Sequence, residues 1–369
     1  MTNKEKAIEI FRLLEENHIN LYHDISKEVF KKELNKFLEI ADNLDDVHFD
    51  AEMLKLFALF KDAHTIYLVD DNYVSKCIRF IKGKYYFCED GLCEEIVAVN
   101  GYDIQQIIKK FEKIIAYEFD SWKNFRIENI MRGIKHLAMI DCENKSGEDI
   151  IEYYLKSGIK IEKRISSFKR EFPYSYFMEE DNILRINYKL CRNVDNLPMT
   201  VFLEDIKSKY KNNPSACIID VRYNKGGDDR VINPLIQWLK ENKIKTFVLM
   251  NGATFSSGVW AVIDLKSSVK ATIIGTEASQ AAYCYGNCRW LNVDGQEFSY
   301  CTRYFNRTIL ETQQTVKEHI VSKVIDYLGP IQPDVYLEPE PKIEKKGEDS
   351  QMRLALEIIK KELHTEKTL

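Results

Sequence analysis

The chain has 369 residues, of which 45% are hydrophobic and 30% charged. These proportions exclude a disordered or fibrous protein, and at about 100–200 residues per domain they allow two or three domains. Lys+Arg 53 against Asp+Glu 58 leaves a net charge of −5, which argues against nucleic acid as the main partner. No apolar run approaches the roughly 18 residues that a membrane-crossing helix needs. The opening MTNKEKAIEIFRLLEENH is charged throughout and has no apolar stretch ending in a small-residue cleavage site, so no secretory leader is expected. Nine scattered cysteines, an odd number, point to reduced thiols and a cytoplasmic setting.

The first 65 or so residues are expected to be helical, with apolar positions at helical spacing: Ile8, Ile10, Phe11 and Leu14, then Phe30, Leu34, Phe37 and Leu38, then Met53, Leu56, Phe57 and Phe60. Asp24 or Ser26 should cap the second helix, and Asp45 or Asp46 the third. From about 70 to 105 short strands take over: Cys77–Ile81, Tyr85–Cys88 and Glu95–Val99, with turn signals at Lys82-Gly83-Lys84, Asp90-Gly91 and Asn100-Gly101. An amphipathic helix with Ile104, Ile107, Ile108, Phe111, Ile114 and Ile115 on one face follows, then a second helical stretch to about 140 and weaker strands over 150–180. The resulting divisions are 1–68 helical, 69–170 β-rich with connecting helices, 171–340 an α/β core, and 341–369 a charged linker with a last helix near 350–363.

The α/β pattern is clearest after 182. Ile183–Tyr188, the continuous apolar run Ala216–Val221, Lys245–Met250 and Ala271–Gly275 are expected strands, with helices between them that start after Pro198, beyond Asp229 and near Gly258. Strand and helix in alternation predict a mostly parallel sheet with helical crossovers, whose ligands bind beyond the C-terminal strand ends.

Two turns lie at such ends. Arg222-Tyr223-Asn224-Lys225-Gly226-Gly227-Asp228-Asp229 contains the only adjacent pair among the chain's 15 glycines. A Gly-Gly pair permits positive φ and close approach of a substrate to backbone N–H groups, which can stabilise an oxyanion. The plainer alternative is a turn in which Asp228 or Asp229 caps a helix. Asn251-Gly252-Ala253-Thr254-Phe255-Ser256-Ser257-Gly258 places serines at a strand–turn–helix junction, where a hydroxyl can be exposed beside the positive end of a helix. Here too the alternative is that Ser256 and Ser257 only cap the helix.

Taken together, these segments resemble the tail-specific (C-terminal-processing) serine proteases and their relatives, the tricorn core protease and interphotoreceptor retinoid-binding protein. Asp220-Val221-Arg222-Tyr223-Asn224-Lys225-Gly226-Gly227 resembles the family's Asp-Leu-Arg-x-Asn-x-Gly-Gly pattern, and Thr254-Phe255-Ser256-Ser257 its nucleophile turn. Asp62-Ala63-His64-Thr65, Ile96–Gly101 and Gln332-Pro333-Asp334-Val335 resemble further family segments, in order over residues 60–340. The resemblance implies a crotonase/ClpP-like superhelical α/β core with an N-terminal helical region and a reduced PDZ-like β-rich insert. It implies a serine-type peptidase acting on peptide or protein substrates without metal or organic cofactor. Ser256 would be the nucleophile, Ser257 with Gly226 or Gly227 the oxyanion hole, and Asn224, Tyr188 and Tyr285 substrate-binding residues.

A serine hydroxyl needs a base. The C-terminal-processing branch supplies a lysine about 25 residues past the serine, but this sequence reads Ser279-Gln280-Ala281-Ala282 there, with no lysine between Lys270 and Lys317. The tricorn-like branch uses a histidine placed as His64 is, and histidine titrates in the useful range. Its orienting carboxylate stays open among Asp62, Glu277, Glu297 and Asp334. The rewritten wall after Gly275, with Tyr283, Cys284 and Tyr285, keeps two other readings in play: the same fold as a peptide- or small-ligand-binding module without turnover, and an acyl-thioester enzyme. Cys284, Cys288 and Cys301 resemble half a zinc site, with core or surface thiols the simpler expectation. Cys88 and Cys93 flank a turn and are expected to stay unbridged.

Overall fold

The computed structural model describes residues 1–166, 172–194, 197–210, 212–307 and 329–367. It divides into two units, residues 1–168 with 284–305 and residues 169–283 with 306–369.

In the first unit the helices begin where local chemistry says they should. Thr2 closes a capping box on the helix Asn3–Asn17, Ser26 accepts from Val29 N–H ahead of Lys27–Leu38, and Asp45 accepts from His48 N–H ahead of Asp46–Ala58. Asp24 and Asp46 therefore do not cap. The buried stripes of these helices, including Phe11, Phe30, Phe57 and Phe60, form one aromatic-rich core. Val293 and Phe298 join that core from a hairpin, Tyr283–Val293 and Gln296–Asn306, which the sequence pattern did not announce. Segment 66–68 extends the hairpin: Leu68 N–H donates to Glu297 O (3.0 Å) and Ser299 N–H to Ile66 O (2.8 Å).

The β-rich part of this unit is an antiparallel sheet in the order Ile78–Ile81, Lys84–Glu89, Leu92–Val99, Ile150–Leu155, Lys160–Arg164, with Tyr102–Asp103 paired to Leu92–Val99. The helix Ile104–Phe111, capped by Asp103, contributes Ile104, Ile107 and Phe111 to its core. One cysteine expectation is corrected here. Cys88 and Cys93 are cross-strand partners on either side of the Asp90-Gly91 turn, and that register joins them in a disulfide.

The second unit holds a sheet in the order Val335–Tyr336, Thr272–Gly275, Lys245–Met250, Ala216–Asp220, Ile183–Tyr188, Tyr174–Glu179. Every neighbouring pair is parallel except the last. The parallel sheet expected from the alternating pattern is present, with the helices Met199–Lys209, Asn233–Glu241 and Ser257–Val269 as crossovers. Ala216–Asp220 is buried along its whole length, which explains its unbroken apolar run. Met352, Ala355 and Ile359 of the last helix, Ser350–Lys367, cover Ile183, Ala216, Ile218 and Phe247 of the sheet. Among the described residues no helix is long and apolar enough to cross a membrane.

Candidate active site

The strand Ala216–Asp220 delivers the chain into the glycine-bearing loop, and the ion pairs behind it hold that loop still. Asp220 is buried against Arg222 (2.9 Å) and Lys189 (2.9 Å), and Arg222 reaches on to Asp349 Oδ1 (2.8 Å) at the start of the last helix. Burial works against the Asp220 charge, but the guanidinium and ammonium beside it hold the carboxyl well below the usual carboxylate range. Asn224, fully buried, donates to Tyr188 O (2.8 Å) and accepts Gly226 N–H (2.8 Å). The chain then passes through Gly226 at φ 94° and Gly227 at φ 135°. Only glycine adopts these values readily, which is why the pair stands here.

The serine-bearing turn is sewn to this loop. Phe255 N–H donates to Asn224 O (2.9 Å), Thr254 Oγ1 to Val221 O (3.0 Å), Tyr223 N–H to Asn251 Oδ1 (3.2 Å), and Ser257 Oγ to Gly227 O (2.8 Å). The approach is so close that a Cβ on Gly226 would lie 2.6 Å from Ser256 Cβ, 2.8 Å from Ser257 N and 3.0 Å from Ser256 Oγ. Two turns 30 residues apart in sequence thus meet at Ser256.

Ser256 has φ 54° and ψ −130°, a conformation that L-residues rarely adopt. It is partly exposed at the entrance to the helix Ser257–Val269, and its side chain makes no capping bond. The simple capping explanation of this serine therefore fails. At the other turn that explanation holds in part, because Asp228 accepts Arg230 N–H (3.0 Å) and caps the short helix Asp229–Ile232. Gly226 N–H is taken by Asn224, whereas among the described residues the N–H groups of Gly227 and Ser257 engage no acceptor. The 278–280 segment closes the turn from behind: Ser279 Oγ and N–H both donate to Thr254 O (2.6 and 3.1 Å), and Gln280 Oε1 accepts Ser256 N–H (2.9 Å).

The other expected residues have different surroundings. Tyr188 is wholly buried, its ring stacked near Tyr174, and burial drives its hydroxyl far above the ordinary tyrosine range. With Asn224 also buried, these two side chains brace the loop and offer no surface to a substrate. Tyr285 belongs to the first unit, where its hydroxyl accepts from Asn20 Nδ2 (2.9 Å) and its ring packs on His23 (4.4 Å between centroids).

His64 also lies in the first unit, with its backbone fixed at both ends. Its N–H donates to Asp62 Oδ1 (2.9 Å), and its carbonyl accepts from Ser299 Oγ (2.9 Å) and Cys288 Sγ (3.6 Å). Burial pushes the imidazole below its ordinary value against the pull of the Asp62 charge, which favours the neutral ring. Donor atoms of Asp62, His64 and Glu118 lie within 4.8 Å of one another. Burial, then the charge of Asp62, push the Glu118 carboxyl up to about 8. Sequence reading missed Glu118, since nothing in its local pattern sets it apart. Of the carboxylates left open for His64, Asp334 is spent on Ile273 N–H (2.9 Å) and Lys266 (2.5 Å), and Glu277 accepts from Gln332 Nε2 (3.0 Å).

Asp62 also belongs to a second group of potential metal ligands. His18 Nε2, Asp62 Oδ2 and Cys301 Sγ are also within 4.8 Å of one another. Yet His18 Nδ1 accepts Asn20 N–H (3.0 Å), so the proton of the neutral ring sits on Nε2 and donates to Asp62 (3.1 Å). That nitrogen has no lone pair for an ion, and the trio is a hydrogen-bond network. Cys284 stands in neither group.

No protein-family model and no curated protein matches the chain. Solved structures do. Mature CPAF aligns with TM-score 0.61 and 11% identity over 93% of this chain and 95% of that one. The photosystem II D1 C-terminal processing protease aligns with TM-score 0.47 and 13% identity over 93% and 94%. Tricorn protease aligns with TM-score 0.46 and 13% identity over 98% of this chain and 37% of its own. The chain thus has a mixed α/β fold similar to that of mature CPAF.

Proposed function

We propose that this protein is a serine-type peptidase of the C-terminal-processing and tricorn-like kind, cleaving peptide bonds through an acyl-enzyme on Ser256. The observation that carries the reading is the Ser256 turn itself: a partly exposed hydroxyl at φ 54°, pressed against Gly226, beside two N–H groups of Gly227 and Ser257 that no acceptor among the described residues occupies. Strained backbone of this kind is retained where it presents a nucleophile. In the reaction, Ser256 Oγ bonds to the scissile carbonyl carbon and its proton passes to His64, the base the family resemblance implies. The Ser257 and Gly227 N–H groups hold the oxyanion, helped by the positive end of the helix Ser257–Val269. The C–N bond then breaks, the amine leaves with the proton from His64, and water hydrolyses the ester by the same route. On this reading Gly226 shapes the hole without donating to it.

We read the parallel sheet and its helices as the crotonase/ClpP-like core, and the antiparallel sheet with the helix Ile104–Phe111 as the reduced PDZ-like insert, in the divisions 1–68, 69–170, 171–340 and 341–369. A fluorophosphonate probe tests the function. Covalent labelling that is abolished in Ser256→Ala and sharply slowed in His64→Ala is the expected result. A folded wild-type protein that binds peptides yet never labels would instead be the binding module.

A further inference from the structure

The hairpin Tyr283–Val293 and Gln296–Asn306 carries two thiols that the proposed reaction does not use. Its loop is Asp294-Gly295, at φ 51° and 85°, the pair of positive values that a two-residue type I′ turn requires. Such a loop sets Val293 opposite Gln296, and five residues further along each strand Cys288 stands opposite Cys301. Cys301 O accepts Ile19 N–H (3.0 Å) on the edge where Ser299 N–H meets Ile66 O, away from the partner strand. Cys288 and Cys301 are therefore a non-hydrogen-bonded pair, the kind whose Cα atoms lie about 4.5 Å apart. A disulfide spans about 4.4–6.8 Å between Cα atoms, so the spacing suits one. The same relation holds beside the Asp90-Gly91 turn, where the cross-strand partners Cys88 and Cys93 are bridged.

Both sulfurs turn to one segment. Cys301 Sγ donates to Asp62 Oδ2 (3.2 Å) and Cys288 Sγ to His64 O (3.6 Å), and the two sulfurs are within hydrogen-bonding reach of each other. They are unbridged, and they differ in character. Cys288 is half-buried. Cys301 is wholly buried, and contact with Cys288, burial and the Asp62 charge raise its thiol well above the ordinary range.

We infer that Cys288 and Cys301 are a redox-active pair that a peroxide closes into a disulfide, and that closure detaches both thiols from the Asp62–His64 segment. Cys288, the accessible thiol, attacks a peroxide oxygen. The O–O bond breaks, the other oxygen leaves as water with the thiol proton, and Cys288 becomes a sulfenic acid. Cys301 Sγ then bonds to that sulfur, the S–O bond breaks, and the hydroxyl leaves as water with the Cys301 proton. The two thiols lose two electrons between them, and one peroxide is reduced to two waters. Bridged sulfurs have no proton to donate, so Asp62 loses a donor and His64 O keeps only its bond from Ser299 Oγ. Formation of the bridge stands apart from the peptidase reading, whereas its effect on Ser256 chemistry rests on that reading.

The test treats the full-length chain with hydrogen peroxide, blocks remaining thiols with iodoacetamide, and digests it without reduction. Trypsin and chymotrypsin together cut after Tyr285, Arg289 and Tyr300, so Cys284, Cys288 and Cys301 fall on different peptides. The expected product joins the Cys288 and Cys301 peptides, two hydrogens lighter than their sum, and is absent from Cys288→Ser. Oxidised wild type in which both thiols are alkylated, or in which Cys288 is joined to Cys284, overturns the inference. Fluorophosphonate labelling should fall about tenfold on oxidation, the scale of one hydrogen bond to a charged group. Dithiothreitol should restore it, and peroxide should leave the labelling of Cys288→Ser unchanged. A bridge that leaves wild-type labelling intact overturns the link to His64. A wild type that never labels overturns the peptidase reading, while the peptide map still decides the pair.

Discussion

The two regions that carry chemistry-bearing residues are built in opposite ways. In the second unit the site is made mainly of backbone: paired glycines at positive φ, a serine held at φ 54°, and N–H groups at a helix start. In the first unit His64 sits among side chains: the buried Asp62 two residues before it, and the half-buried Glu118 brought in from a distant segment. A backbone site tolerates almost no change of residue, because shape is fixed by allowed φ and by absent Cβ atoms. A side-chain cluster depends on the charge balance of its members and so responds to pH. Each contrast can be tested by substitution.

The largest effect is expected at Gly226. An alanine there would bring a Cβ to 2.6 Å from Ser256 Cβ and 2.8 Å from Ser257 N, so the nucleophile must move. Gly226→Ala should abolish fluorophosphonate labelling while circular dichroism still shows a folded chain. Normal labelling would show that the loop yields and that the close approach is incidental. His64→Ala comes next, with an expected loss of about 10²–10⁴ in labelling rate if it is the base. Because burial lowers its pKa, the wild-type rate should hold as the pH falls past the ordinary histidine value of about 6.5 and drop only below it. A rate profile that breaks at or above that value would contradict the lowered pKa.

A smaller effect belongs to Asn224, which is wholly buried and bonded to Gly226 N–H and Tyr188 O. Asn224→Ala leaves both groups without their partner and should cost about 1–3 kcal/mol in urea unfolding. The smallest concerns Glu118. Its folded pKa of about 8 exceeds the unfolded value of about 4.3, so its contribution is fully present in acid and is lost as pH rises through that interval. Glu118→Gln should therefore flatten the decline of the melting temperature toward alkaline pH. An unaltered pH dependence would mean that the carboxyl ionises freely in the folded protein.

The same contrast explains what could be read from the sequence. The strands Ala216–Asp220 and Lys245–Met250 were legible because a strand covered on both faces must be apolar throughout. The Gly226-Gly227 pair and Ser256 were legible because conformational demands leave a mark at the position itself. Glu118 and Gln280 were not, since each acquires its role only from neighbours brought by the fold. The hairpin around residues 284–305 was missed for a related reason. Cys284, Cys288 and Cys301 drew attention as possible ligands, and the two 11-residue strands that hold them carry exposed polar and aromatic positions, not a clean alternation. The Cys88–Cys93 bridge was missed because composition alone speaks for the whole chain and not for one cross-strand pair.

The central claim is that the Ser256 turn presents a reactive hydroxyl and that its neighbour does not. Peptide mapping by mass spectrometry after fluorophosphonate treatment tests this directly, because Ser256 and Ser257 are adjacent and differ in conformation, bonding and exposure. The adduct is expected on Ser256 alone, with Ser257 unmodified while its hydroxyl stays bonded to Gly227 O. An adduct on Ser257, or none on either serine in a folded protein, would contradict it.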